Sequence, residues 1–155
     1  MLFSGNDFID TASSFDTAVK AGTDGKMFVR AYATSGAGLK TPQMVLWHGS
    51  GYAATALAAG ARAHVGVPEE AIASGCVGWI QVRGYASNVQ GAATSLTAGS
   101  FGHAIYWGGA TGIGCSASAY VGVASQIGVL MEDLGAAANS TTANIWLNGN
   151  LGTSI

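Results

Sequence analysis

No lysine or arginine occurs between Gly84 and Ile155; the six basic residues of the chain all lie at or before Arg83. Ordinary globular proteins are about 25% charged, whereas Asp, Glu, Lys and Arg together make up 9% of this sequence. A fold with so few charges has little to cover its outside except apolar and small polar groups. Large apolar surface on a soluble domain marks a place where other chains bind. The expectation is a protein that works by being buried against copies of itself or a larger scaffold. Gripping nucleic-acid phosphates requires clustered cations, so no nucleic-acid partner is expected.

At 155 residues the length suits one hydrophobic core. Four of the eight acids, Asp7, Asp10, Asp16 and Asp24, lie within the first 25 residues, which also carry Phe3, Phe8 and Phe15. This polar, aromatic-bearing stretch reads as an N-terminal arm over 1–25, with a β-rich domain over 26–155. The most apolar run, Ala53 to Val67, is interrupted by Gly60, Arg62, His64 and Gly66. It falls short of the roughly 18 continuous apolar residues that a membrane helix needs. No membrane partner is expected, and the first residues lack the basic start and apolar centre of a secretory signal. Synthesis in a cytoplasm is the corresponding expectation.

From Lys26 the texture becomes that of short strands. KMFVRAY and QMVLWH are β-branched or aromatic runs separated by a Gly-rich connection with Pro42. GSGYAATALAAG reads as a loop or short helix, because alanine favours helix while Gly51 and Gly60 leave room for only a turn or two. A strand follows at 61–67. VGWIQVRG, from Val77, is the clearest strand, with Val77, Trp79 and Gln81 on one side and Ile80 and Val82 on the other. SFGHAIYWG, AYVGVASQIGVLM and TTANIWLNG complete the series. About seven to eight short strands with Gly, Ser and Ala connections predict an all-β fold, a small β-barrel or sandwich. An echo of VGV followed by a Trp-centred strand ending in Gly, at 65–84 and again at 121–149, fits two similar hairpin halves.

Chemistry-bearing patterns are weak. His48, His64 and His103 show no i, i+4 pairing, and Cys76 and Cys115 lack metal-ligand spacing. No metal and no cofactor are expected. HGSG at 48–51 places Ser50 in a tight turn, but a nucleophile elbow needs glycine two residues to either side, where His48 and Tyr52 stand. GGATGIG at 108–114 has neither dinucleotide nor P-loop spacing and no lysine after it. The pairs Glu69–Glu70 and Glu132–Asp133 would each offer one carboxylate to a site, since neighbours on an extended chain point apart; solvated loop acids are the simpler expectation. No catalytic residue is assigned and no enzyme is expected. The aromatic residues remain. Trp47, Trp79, Trp107 and Trp146 each fall on a predicted strand. A single core can hold some of them, and with so few charges outside, the others are candidate interface anchors.

VGVPEEAIASGCVGWIQVRGYA (65–86), then Ala98-Gly99-Ser100, Val121-Gly122-Val123-Ala124 and Ile145-Trp146-Leu147, resembles small virion structural proteins of tailed bacteriophages. The resemblance covers 54–150 and rests on structural residues. It implies a capsid decoration, or cement, protein with a β-barrel or β-tulip-like fold, forming a homotrimer on the capsid surface of the virion. The major capsid protein and copies of the chain itself would be the partners. Phe3, Phe8, Phe15, Trp47, Trp79, Trp107 and Trp146 would then be the candidate self-association or capsid contacts, with residues 1–25 as a clamp. A head fibre, tail component or carbohydrate-binding module is the alternative. The stretch LMEDLGAAANSTT (130–142) departs from the plainest form of the pattern and leaves the pairing of the last strand open.

Overall fold

The alternation in KMFVRAY becomes a strand whose inward side chains, Val29, Ala31 and Ala33, are fully buried, with Arg30 and Tyr32 half-exposed between them. In the structure, a computed structural model, the described residues are 9–10, 19–47, 51–56, 64–91, 99–107, 113–114, 125–134 and 142–148. They form eleven strands and no helix. The strands are β1 (Ile9–Asp10), β2 (Val19–Ala21), β3 (Met27–Ala33), β4 (Gln43–Trp47), β5 (Tyr52–Ala56), β6 (His64–Pro68), β7 (Val77–Gln90), β8 (Ala104–Trp107), β9 (Ile113–Gly114), β10 (Ser125–Leu130) and β11 (Thr142–Asn148). The fold is all-β and small, as the strand rhythm predicts.

Five of the strands close on themselves. Around the ring, β3 pairs β5, β5 pairs β4, β4 pairs β6, β6 pairs β7, and β7 returns to β3; only β3–β5 is parallel. Closure leaves these strands no free edge. The barrel interior is small and built from small or β-branched side chains: Val29, Ala31, Ala33, Val45, Ala54, Ile80 and Val82. Ala37 and Ile72, which exchange two 2.8 Å backbone hydrogen bonds, join the same core. Within the first 25 residues, Ile9 and Asp10 pair with Gly78 and Val77, and β2 pairs with β3.

Strand β7 serves two sheets. Its first half lies in the barrel wall, and from Arg83 to Gln90 it pairs with β11, which continues to β10, β8 and β9. A second core fills the space between this outer sheet and the outside of the barrel. Met44, Val65 and Val67 point into it from β4 and β6, meeting Ala86, Val89, Ile105, Ile127, Leu130, Ala143, Ile145 and Leu147. Each large aliphatic group buried there contributes about 1.5–3 kcal/mol. The alternation of β4 divides its residues between the layers: Val45 enters the barrel and Met44 the second core. The pairing of the last strand is thereby defined, with β11 between β7 and β10.

Two differences from the sequence expectation stand out. YAATA, expected as loop or short helix, is the central strand β5, hydrogen-bonded on both sides. Alanine has little strand preference of its own, but Ala53 and Ala54 are small enough for this tight wall and are almost fully buried. VGWIQVRG continues six residues further than expected, past Gly84, whose φ of +90° bends the strand out of the barrel. A Cβ at Gly84 would lie 2.9 Å from the Lys26 Cα, so the crossing depends on glycine. The second copy of the VGV echo, at 121–123, lies outside the described residues.

Candidate interaction surface

Three of the four tryptophans have described side chains, and their environments differ. Trp79 is 6% exposed, packed on the outside of the barrel wall, with the Lys20 ammonium 4.4 Å from its ring centroid. Such a cation over an indole face is mildly attractive and closes the ring off from water. Trp47, at the end of β4, is 49% exposed. It meets Tyr52 edge-to-face across the β4–β5 pair, with centroids 5.2 Å apart at 76°, an arrangement that fixes both rings. Trp146 is half-buried in β11. Trp107 ends β8; its side chain, together with Phe3, Phe8, Phe15, His48, Ser50 and Cys115, lies outside the described residues.

Trp146 belongs to a row that crosses the outer sheet. It is paired with Tyr85 of β7 on one side and Val129 of β10 on the other, and Val129 is paired in turn with Ala104 of β8. Paired residues in a sheet project to the same face. The opposite face carries the second core, so this row faces outward, with Tyr85 36% exposed. At one end of that face stands exposed Arg83, paired with Asn148. At the other end lies Glu132, whose carboxylate accepts from both the backbone N–H (2.6 Å) and the side-chain amide (3.0 Å) of Asn144. The Asn144 Oδ1 accepts in turn from the Asn88 N–H at 3.0 Å.

Expected as solvated loop acids, both members of the Glu132–Asp133 pair instead bind backbone. Asp133 accepts from the N–H of Phe101, whose own ring is 62% exposed. Around them Leu134 N–H donates to Gly99 O and Met131 N–H to Asn144 O. Glu69 likewise is not simply solvated: it forms an ion pair with Lys40. Lys40 holds a left-handed backbone conformation, φ +55°, with its N–H on Pro68 O and its carbonyl on the N–H of Gln90. These carboxylates organise loops.

Other polar groups are also structural. Gln81 is wholly buried, and its Nε2 donates to the carbonyls of Arg83 (3.1 Å) and Tyr85 (2.9 Å), on either side of the Gly84 bend. Gln43, also buried, donates from Nε2 to Thr41 O. Cys76 is a free thiol, half-buried against the barrel core. His103 accepts the Ser100 N–H at Nδ1. Among the described residues no group of three or more His, Cys, Asp or Glu side chains is placed to hold a metal ion.

Sequence reasoning placed the tryptophans on strands but could not separate Trp47 from Trp79, because both follow the same alternation. It missed Tyr85 as a neighbour of Trp146; that pairing depends on β7 continuing beyond Gly84. Comparison with family models, with curated proteins and with solved structures found no match.

Proposed function

We propose that this chain is a non-catalytic structural protein of a tailed-phage virion, which binds the outside of the capsid and stabilises it. Its partners in this reading are the major capsid protein and copies of itself. The observation that supports it best is the outward aromatic surface of a charge-poor β scaffold, in which Trp47 is held edge-on by Tyr52 and half exposed. Rigid aromatic groups presented to solvent lose little side-chain freedom on binding and dominate many protein interfaces. The resemblance of 54–150 to small phage virion proteins gives the partner its identity.

Co-sedimentation of the full chain with expanded shells of the major capsid protein encoded alongside it tests the reading. The chain should pellet with the shells at a saturable ratio and raise the temperature at which they break down. A chain that remains in the supernatant overturns the proposal.

The Trp47–Tyr52 pair also favours a second reading, a carbohydrate-binding surface module, because an exposed indole face stacks on the C–H groups of a sugar ring. Titration of the chain with soluble glycans, followed by tryptophan emission, distinguishes the two. A saturable change that Trp47→Ala abolishes would support the glycan reading.

A further inference from the structure

We infer that the outward face of the outer sheet is an interface with a second copy of this chain, closed by a two-fold axis near Trp146. It departs from the homotrimer that the resemblance implies, and rests on the assembly reading above only for the idea that copies associate. The centre of the face is the apolar row Tyr85–Trp146–Val129–Ala104, running across β7, β11, β10 and β8. Its ends are of opposite sign. Arg83 lies at the edge where β7 enters the sheet and β11 leaves it; Glu132 lies at the other edge, two residues beyond the end of β10 and bound to Asn144.

Charge arrangement selects the occupant. A two-fold axis through the row would set the strands of the two copies antiparallel across the interface. Arg83 of each copy then faces the Glu132 edge of the other, and Trp146 meets Trp146 at the centre. One face satisfies itself in this arrangement, as an isologous contact requires. A three-fold ring needs two different patches that fit each other, and this face does not require a second one. A four-strand face is also modest in area, with strands about 4.8 Å apart, so the dimer should lie toward the weak end of specific interfaces.

The test is sedimentation equilibrium of the full chain across a concentration series, at low and high salt. The wild-type protein should show a monomer–dimer equilibrium that salt weakens. Tyr85→Lys should raise the dissociation constant at least about tenfold, and Arg83→Glu should raise it while removing the salt dependence. Both positions are exposed, so native circular dichroism is expected; Leu39→Lys, exposed elsewhere, should leave the equilibrium unchanged. A monomer at every concentration, a three-copy mass, or a dimer equally tight in Tyr85→Lys would overturn the inference. Shell binding by a monomeric Tyr85→Lys protein would leave the capsid reading standing, which separates failure of the two.

Discussion

Gly66 passes so close to Ile80 that a Cβ at position 66 would lie 2.5 Å from the Ile80 Cγ2, and 3.1 Å from both the Gln81 carbonyl oxygen and a Val45 methyl. At position 66 the inward surface of β6 is therefore bare backbone, and Ile80 and Val45 fill the space in front of it. Gly66→Ala should destabilise the protein by about 1–3 kcal/mol through overpacking. The Ile80 contact can yield where the backbone oxygen cannot, so Gly66→Ala should cost less in an Ile80→Ala background, which removes Cγ2, than in the wild-type chain. Urea unfolding of the two single variants and the double variant measures this coupling. Simple additivity would show that the contact is not the cause.

The Gln81 amide holds two carbonyls that flank the bend at Gly84. Gln81→Leu preserves volume and removes the donor, leaving the Arg83 and Tyr85 carbonyls without it. A loss of about 1–3 kcal/mol is expected, with faster hydrogen exchange concentrated in the β7–β11 ladder. Gln81→Glu should be worse, since it replaces the donor by an acceptor and places a charge at a fully buried position. Equal exchange rates across the whole sheet in Gln81→Leu would contradict a local role at the crossing.

These two positions also show what the sequence could and could not reveal. The alternation of Val29, Ala31 and Ala33, or of Ile80 and Val82, is visible in the residues themselves and depends on a strand period of two. So is the all-β class. The parallel contact of β3 with β5 is a different matter. It brings together residues whose local preference, in Tyr52–Ala56, points to helix or loop, and only closure of the barrel makes a strand there. Gly84 reads in sequence as the end of a strand, whereas its positive φ bends a strand that continues. The outward face had the same obstacle: Trp146 is apparent as a strand residue, but Tyr85 becomes its neighbour only through a register set at long range. Glu132 and Asp133 were legible as acids in a connection; that they accept the backbone N–H groups of Asn144 and Phe101 depends on partners 12 and 32 residues away in the chain.

Glu132, Asn144 and Asn88 form a chain of hydrogen bonds joining the segment after β10 to β11 and β7. Glu132→Ala should cost roughly 1.5–3 kcal/mol, as expected for bonds to a charged acceptor. Asn144→Ala should cost about as much, because it removes the Asn88 acceptor together with one donor to Glu132. The double variant should lose less than the sum of the two. Thermal and urea melts of the four proteins complete the cycle, and a coupling near zero would mean that the three groups act independently.

Trp47 can be altered with little effect on the fold. Its ring is half exposed and packs on Tyr52 alone among the ring contacts described, so Trp47→Ala should change stability by less than about 1.5 kcal/mol, the upper end for an aromatic pair. If this ring contacts the capsid, the same substitution should weaken shell binding at least about tenfold, the effect of losing an aromatic anchor. Trp79→Phe offers the contrast: it alters a ring buried within the chain beneath Lys20 and should lower stability while leaving the affinity of the folded protein intact. Shell co-sedimentation, paired with unfolding curves for each variant, separates these effects. Unchanged shell binding by Trp47→Ala would move the capsid contact away from the β4–β5 end of the barrel.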